Sequence, residues 1–159
     1  MKKNPVVDPQ KIHMMGLRIV KSYFEVELEV LEDPRDIEYI NLGTKSESQF
    51  NLEEDYQLFK LFVKIHGLSE DGESICAKGE YQIDFHYKID NLMDFVDLEK
   101  DSNGFSVKSM LGATIAGISY STSRGIILDR TQTTDFAGVL LPVIDPNQLL
   151  NEDTFSEMR

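Results

Sequence analysis

Four stretches of the chain alternate between apolar and polar residues, which is the two-residue period of a β-strand with one solvated face. They run from Leu17 to Leu31, from about Ile37 to Asn51, from Tyr56 to His66 and from Glu73 to Ile89. The connections are short, and a Ser-Glu-Asp-Gly sequence before the fourth stretch is typical of a hairpin turn. The pattern therefore predicts four sequential antiparallel strands in one sheet, whose apolar face needs a cover. In the first strand it places Arg18, Val20 and Phe24 on one face and Lys21 and Tyr23 on the other.

A pattern with steps of three and four residues follows from Val107 to Arg130 and predicts one long helix, the only later element able to cover the sheet. Its apolar stripe consists of Val107, Met110, Leu111, Thr114, Ile115 and Ile118. The rest of its middle is made of small residues, namely Gly112, Ala113, Ala116, Gly117 and Ser119. The pattern thus predicts an α+β fold in which a four-stranded antiparallel sheet is covered on one face by a long helix.

The small residues of this helix need a packing explanation. Two glycines in an exposed helix would cost roughly 2 kcal/mol relative to alanine, so packing rather than propensity must hold the helix together. Small side chains let another backbone approach closely, either in the core of one subunit or at an interface between subunits. We favour the interface. A membrane span is not expected, because Lys108 and Arg124 interrupt the apolar run.

The remaining segments complete one predicted domain over residues 1–159. Residues 1–11 are predicted to be a flexible lead-in, and 90–104 a linker. Residues 131–145 are extended and unusually apolar for a connection, and Asp145 followed by Pro146 is typical of a helix start. A short helix from Pro146 to Leu150 is predicted there, followed by an acidic polar tail over residues 151–159.

Charge and cysteine content narrow the function classes. With 16 basic and 28 acidic residues the formal net charge is −12, which repels phosphate backbones and disfavours nucleic acid as a partner. No secretory signal is recognisable at the start of the chain. The single cysteine, Cys76, excludes an internal disulfide and fits the reducing cytoplasm, where it is expected to be a small buried hydrophobe.

The sequence offers little support for catalysis. It has no glycine-rich phosphate loop, and the sheet pairing keeps the histidines too far apart to share a metal ion. Glu25, Glu27 and Glu29 share one strand face, where they are either solvated charge or a docking patch. We therefore expect a protein that is not an enzyme and needs no cofactor or metal.

The apolar residues outnumber what one sheet and one helix can bury. The surplus lies in 92–96 and in 136–150. Contiguous apolar surface on a highly charged protein usually marks a site for another protein. The sequence therefore favours oligomerisation, a polypeptide client, or both.

The segment Leu111–Leu150 resembles the helix, crossover loop and terminal helix of the SecB family of preprotein-export chaperones. The residues that carry the resemblance are Leu111, Gly112, Ala113, Ile118, Tyr120, Arg124, Phe136, Leu141, Pro142 and Val143. The strand half, from Leu17 to Ile89, is similar in arrangement more than in identical residues.

The resemblance implies an ATP-independent, cytoplasmic holdase that binds unfolded polypeptides in apolar surface grooves, linked to preprotein export. It also implies a homotetramer, a dimer of dimers, with the long helices between two sheets. The groove is expected to consist of Leu42, Phe50, Phe59, Tyr120, Phe136, Leu140, Leu141, Ile144 and Leu149. The oligomer interface is expected to consist of Met110, Gly112, Ala113, Ala116, Gly117, Tyr120 and Arg124.

Docking of the preprotein translocase ATPase is expected on the solvated sheet face, at Glu25, Glu27 and Ile75. Tyr23 and Ala77 stand where the family pattern has acids, which weakens this part of the resemblance. Two alternatives remain open. The chain could be a dedicated SecB-like chaperone of a toxin–antitoxin pair or another single client, or a domain that binds a small apolar ligand in the sheet–helix cleft.

Overall fold

The computed structural model describes residues 5–27, 29, 37–69, 72, 75–100, 103–133 and 138–150, together with the backbone of 154–158. Its strands are β1 (Ile12–Val26), β2 (Tyr39–Asn51), β3 (Tyr56–Leu68), β4 (Ile75–Ile89), β5 (Val96–Leu98), β6 (Phe105–Val107) and β7 (Thr154–Met158). One α-helix, α1 (Ser109–Gln132), follows β6, and 3₁₀ turns occupy Pro9–Lys11, Leu92–Phe95 and Pro146–Leu150.

The main sheet is antiparallel, with strand order β1-β4-β3-β2-β7. The α+β prediction of a four-stranded antiparallel sheet with one long helix is confirmed. Strand β7 adds a fifth strand from the segment in which the sequence predicted a polar tail. It pairs with the outer edge of β2 over Ile40–Thr44. The short terminal helix is found at Pro146–Leu150, as a 3₁₀ turn.

Strands β3 and β4 form the centre of the sheet and follow the predicted alternation. In β3, Phe59, Leu61, Val63 and Ile65 are buried on the face that meets the helix. In β4, Tyr81, Ile83, Phe85, Tyr87 and Ile89 are buried on the same face. Cys76 is buried at the start of β4, as expected for a small hydrophobe.

Strand β1 departs from the predicted pattern because two bulges interrupt its pairing with β4. The register shifts between Met14 and Gly16 and again between Ile19 and Lys21. Val20 is the extra residue of the second bulge and remains 47% exposed. Before that bulge the faces are exchanged: Arg18 pairs with Asp84 on the solvated face. The predicted placement of Arg18 and Val20 with Phe24 is therefore wrong, because each extra residue reverses the side-chain alternation.

Helix α1 lies on the core face of the sheet. Its buried residues are Leu111, Ile115, Ala116, Ser119, Tyr120, Ser123, Ile127 and Thr131. This face is rotated relative to the predicted apolar stripe, because Met110 and Ile118 are 40% and 38% exposed. Small residues occupy the middle of the buried face, where Ser119 Oγ lies 2.8 Å from the buried Tyr87 hydroxyl. The small-sided middle of α1 thus brings the helix close to its own sheet.

Candidate functional site

The crossover, defined as residues 138–145, runs along α1 and is tied to it by three helix side chains. The backbone N–H of Val139 donates to Thr131 Oγ1 at 2.7 Å. Arg124 Nε donates to the Leu141 carbonyl oxygen at 2.7 Å, and the Tyr120 hydroxyl donates to the Pro142 carbonyl oxygen at 2.9 Å. A segment without secondary structure is thus held in one position by bonds to a rigid helix.

Burial differs sharply along the crossover. Val139 and Leu141 are 2% and 0% exposed and belong to the core, whereas Leu140 and Val143 are 61% and 81% exposed. Because the backbone is bonded to α1, Leu140 and Val143 cannot both turn inward without breaking those bonds. The bonded backbone of the crossover therefore keeps these two apolar side chains exposed to solvent.

The 3₁₀ turn at Pro146–Leu150 continues the crossover and rests on the two glycines of α1. A Cβ atom on Gly117 would lie 3.2 Å from Pro146 Cγ, and one on Gly112 would lie 3.2 Å from Leu150 Cδ1. Asp145 begins the turn as predicted, with its carboxylate accepting from the Asn147 N–H at 2.9 Å. The close approach that the sequence predicted for this helix face occurs here, within one chain.

A cavity of about 280 Å³ lies between the crossover and the helix. It is lined by Gly117, Tyr120, Ser121, Arg124, Val143, Ile144, Pro146 and Leu149. Burial raises the pKa of the Tyr120 hydroxyl to about 12, against a smaller opposing effect of the Arg124 guanidinium. We call the surface formed by this cavity with Leu140 and Leu150 the crossover groove.

The structure describes eight of the nine predicted groove residues and divides them into three groups. Leu42, Phe59, Tyr120, Leu141 and Leu149 are buried in the core, although Tyr120 and Leu149 also line the cavity. Phe50 and Ile144 are half-buried, and Leu140 is exposed. Phe136 lies outside the described residues. Val143 and Leu150 were not among the predicted groove residues.

The predicted interface residues are mostly engaged within the chain. Ala116 and Tyr120 are buried, Arg124 is bonded to the crossover, and Gly112 and Gly117 seat the 3₁₀ turn. Met110 is exposed and Ala113 is half-buried. The role of Thr131 was missed. Its signal was its spacing: Arg124 follows Tyr120 by four residues and Thr131 follows Arg124 by seven, which places all three on one helix face.

The residues predicted for translocase docking lie at one end of β1 and β4. Ile75 is 49% exposed, and the Glu27 N–H donates to the Cys76 carbonyl oxygen at 2.7 Å, which brings the two strands together there. Glu25 lies 3.6 Å from Lys78 Nζ. A hydrogen bond from the Tyr23 hydroxyl, followed by the charge of Lys78, lowers the pKa of Glu25.

Among the described residues, no group of three or more His, Cys, Asp or Glu side chains could hold a metal ion. No helix in the described part of the chain is long and apolar enough to cross a membrane. The crossover groove offers a ligand apolar contacts, next to the few hydrogen bonds that fix the crossover.

The chain shares its fold with a solved SecB-like chaperone. A solved structure of the Mycobacterium tuberculosis SecB-like chaperone Rv1957, in complex with a ChAD peptide from the HigA1 antitoxin, is similar to this chain with a TM-score of 0.59. The similarity covers 85% of this chain and 91% of that one, at 8% sequence identity. No protein-family model matches the sequence, and no curated protein matches it.

Proposed function

We propose that the protein is an ATP-independent, cytoplasmic holdase chaperone that binds unfolded polypeptides along the crossover groove. One observation carries the proposal: Leu140 and Val143 are held 61% and 81% exposed by hydrogen bonds that fix the crossover backbone. Apolar side chains that a fixed backbone keeps exposed to solvent usually serve as a binding surface. The similar chaperone was solved with a peptide bound, which supports a polypeptide as the ligand.

The cavity has a volume of about 280 Å³, at the lower limit of the roughly 300–1,000 Å³ of drug-sized ligand pockets. It can accept an apolar side chain from an extended segment that also contacts the exposed leucines around it. Useful affinity then requires a long client with several such contacts, at roughly 25 cal/mol per Å² of apolar surface buried.

Charge adds a second preference. The net charge of −12 attracts clients with basic flanks and makes the attraction sensitive to salt. Folded proteins bury their apolar segments and are not bound, so selectivity for unfolded chains needs no sequence code.

The test is aggregation of a reduced, chemically denatured model client, followed by light scattering without nucleotide. We expect suppression at about one assembly per client, with no further effect of ATP. The matched control is the double variant Leu140→Ser and Val143→Ser, which should fold normally and suppress poorly. Full aggregation in the presence of the unaltered protein would refute the holdase proposal.

A second candidate is a dedicated chaperone of one client, such as an antitoxin. The antitoxin peptide in the similar chaperone favours this candidate. The two candidates differ in client range. A dedicated chaperone binds one peptide tightly and leaves unrelated denatured proteins to aggregate, whereas a general holdase protects several unrelated clients in the same assay.

We further propose that the subunit assembles as a homotetramer, a dimer of dimers. The structure leaves apolar residues exposed beside the core: Met14 and Leu17, each 38% exposed, lie on the helix-covered face of edge strand β1. Met110 and Ile118 are exposed on the outer face of α1. These four residues, rather than the glycine face of α1, are the surface we assign to subunit contact.

Native mass spectrometry tests the assembly. The unaltered protein should give a tetramer, and Ile118→Asp should give smaller species, because a carboxylate buried in an apolar interface is strongly unfavourable. The control is Ser121→Asp, which places the same charge on an exposed position of the same helix. A tetramer that persists in Ile118→Asp would exclude this surface, and a monomeric parent protein would exclude assembly altogether.

A link to preprotein export is the most specific part of the proposal. It places the translocase ATPase on Glu25, Glu27 and Ile75, of which Ile75 supplies an exposed apolar side chain. Lys78 partly neutralises Glu25, so Glu27 would provide most of the negative charge of this surface.

A further inference from the structure

The centre of the solvated sheet face carries a charge opposite to that of the chain as a whole. The residues that point to solvent there belong to the cross-strand rows from His86 to Glu80 of β4. We call this surface the central face. Its basic residues are Arg18, Lys21, Lys45, Lys60 and Lys64, and its acidic residues are Glu47, Glu80 and Asp84. The central face thus has two more positive than negative charges, although the net charge of the chain is −12.

Two of the three acids on the central face are already paired with lysines. Lys21 Nζ donates to Glu80, and Lys45 Nζ lies 3.4 Å from Glu47 Oε1. The third acid, Asp84, accepts a hydrogen bond from Gln82 at 3.3 Å. In the part of the chain that the structure describes, three cations of this face have no ion pair within 4.0 Å, namely Arg18, Lys60 and Lys64. They are available to an external anionic group.

An apolar ring lies between two of these cations. Phe62 is two residues from Lys60 and two from Lys64 in β3, so the three side chains share one face at steps of about 7 Å along the strand. Phe62 is only half-buried, and Lys64 is exposed. Because β3 lies inside the sheet, between β4 and β2, these residues are away from both sheet edges. A ligand that contacts Phe62 can therefore place negative groups on both lysines.

We propose that the central face docks a segment of a partner protein in which acidic residues flank an apolar side chain. The apolar side chain rests on Phe62, and the carboxylates pair with Lys60 and Lys64 and, across β4, with Arg18. Charge complementarity selects such a partner and speeds its association. The inference goes beyond the holdase proposal and does not depend on it.

The net charge of the chain favours an acidic polypeptide over a nucleic acid as the partner. A nucleic acid carries a phosphate at every nucleotide, so it extends beyond the central face onto a surface that is negative overall. A polypeptide can place its carboxylates only opposite the free cations, and it can also supply the apolar group that contacts Phe62.

The central face and the crossover groove lie on opposite sides of the sheet, because α1 and the crossover cover the core face. An acidic segment on the central face therefore leaves the groove open. A partner docked there can hold the protein while a client stays bound.

The test uses a short fluorescent peptide of glutamates interrupted by one phenylalanine, whose binding is followed by anisotropy at low salt. The test variant is Lys60→Glu with Lys64→Glu. The matched control is Lys11→Glu with Lys100→Glu, which changes the net charge by the same amount at exposed positions outside the central face. Circular dichroism checks that both variants are folded like the unaltered protein.

We expect the test variant to bind the peptide about tenfold more weakly than the control, because two attractive charges become repulsive. Added salt should weaken binding to the control more than binding to the test variant. Saturation with an unlabelled, unfolded client should leave the affinity for the peptide unchanged, since the two ligands occupy opposite sides of the sheet.

Equal affinities of the test variant and the control would overturn the inference, as would the absence of binding to the unaltered protein. Displacement of the peptide by the unfolded client would place it in the groove and would also overturn the inference. A single-stranded DNA that binds as tightly as the peptide would overturn the assignment to a polypeptide. These results leave the holdase proposal intact, because the aggregation assay tests it separately.

Discussion

Replacing Leu141 with alanine should lower the free energy of unfolding by about 2–5 kcal/mol, whereas the same change at Leu140 should alter it by less than about 0.5 kcal/mol. The two leucines are neighbours in the crossover, but Leu141 is 0% exposed and Leu140 is 61% exposed. Truncation of Leu141 leaves a cavity in the core beneath a backbone that is fixed by the bond from Arg124. Truncation of Leu140 removes atoms that already face water.

The functional effects should be reversed. Leu140→Ala should weaken binding of unfolded clients by removing an apolar contact of the crossover groove, while Leu141→Ala should weaken it only as far as the fold is lost. Urea unfolding at fixed subunit concentration gives the first quantity, and fluorescence anisotropy with an unfolded, labelled client gives the second. Equal loss of stability in both variants would show that the crossover is not held as described. Unchanged client affinity in Leu140→Ala would remove that residue from the groove.

The sheet could be predicted from sequence because its central strands have one buried and one solvated face. In β3 and β4 the alternation is nearly regular, and both strands lie where the pattern placed them. Strand β1 begins at Ile12, before the predicted start at Leu17, and the side-chain faces predicted for Arg18 and Val20 are wrong. A bulge at Val20 has no residue-type signature, and each bulge reverses the faces that follow.

The small residues of helix α1 did not reveal from sequence which segment packs against them. Glycines and alanines at small spacing predict close approach of another backbone but do not say which one. In the structure Gly112 and Gly117 accommodate Leu150 and Pro146 of the same chain. The surface that we propose for subunit contact on this helix is the edge of the predicted apolar stripe, at Met110 and Ile118.

The crossover was identified from sequence as apolar surplus, and Leu140 was predicted to lie in the groove, but the pattern did not separate the exposed members of the surplus from the buried ones. Exposure is decided by which carbonyl groups Tyr120 and Arg124 bind, and those distances depend on the tertiary structure. Strand β7 was missed for a related reason. Its short sequence lacks a clean alternation, and it forms a strand because the edge of β2 offers backbone partners.

Raising the pH from about 10 to about 12 should remove roughly 2 kcal/mol of stability through Tyr120 alone, since one pKa unit corresponds to about 1.4 kcal/mol. Burial raises the pKa of this hydroxyl from its ordinary value of 10.0 to about 12 in the folded protein. A raised folded-state pKa means that the neutral form is favoured by folding. Its contribution is therefore complete below pH 10 and declines as the pH approaches 12.

The variant Tyr120→Phe isolates this effect, because the other tyrosines and the lysines titrate in both proteins. Near neutral pH the variant should be about 1 kcal/mol less stable, since the Pro142 carbonyl oxygen loses its donor. Above about pH 11 the order should reverse, because the Tyr120 hydroxyl then ionises in the unfolded state of the unaltered protein while burial keeps it neutral in the folded state. Urea unfolding of both proteins across this range measures the difference. Parallel curves of stability against pH would show that Tyr120 is accessible to solvent. The crossover would then not exclude solvent from α1 at this point.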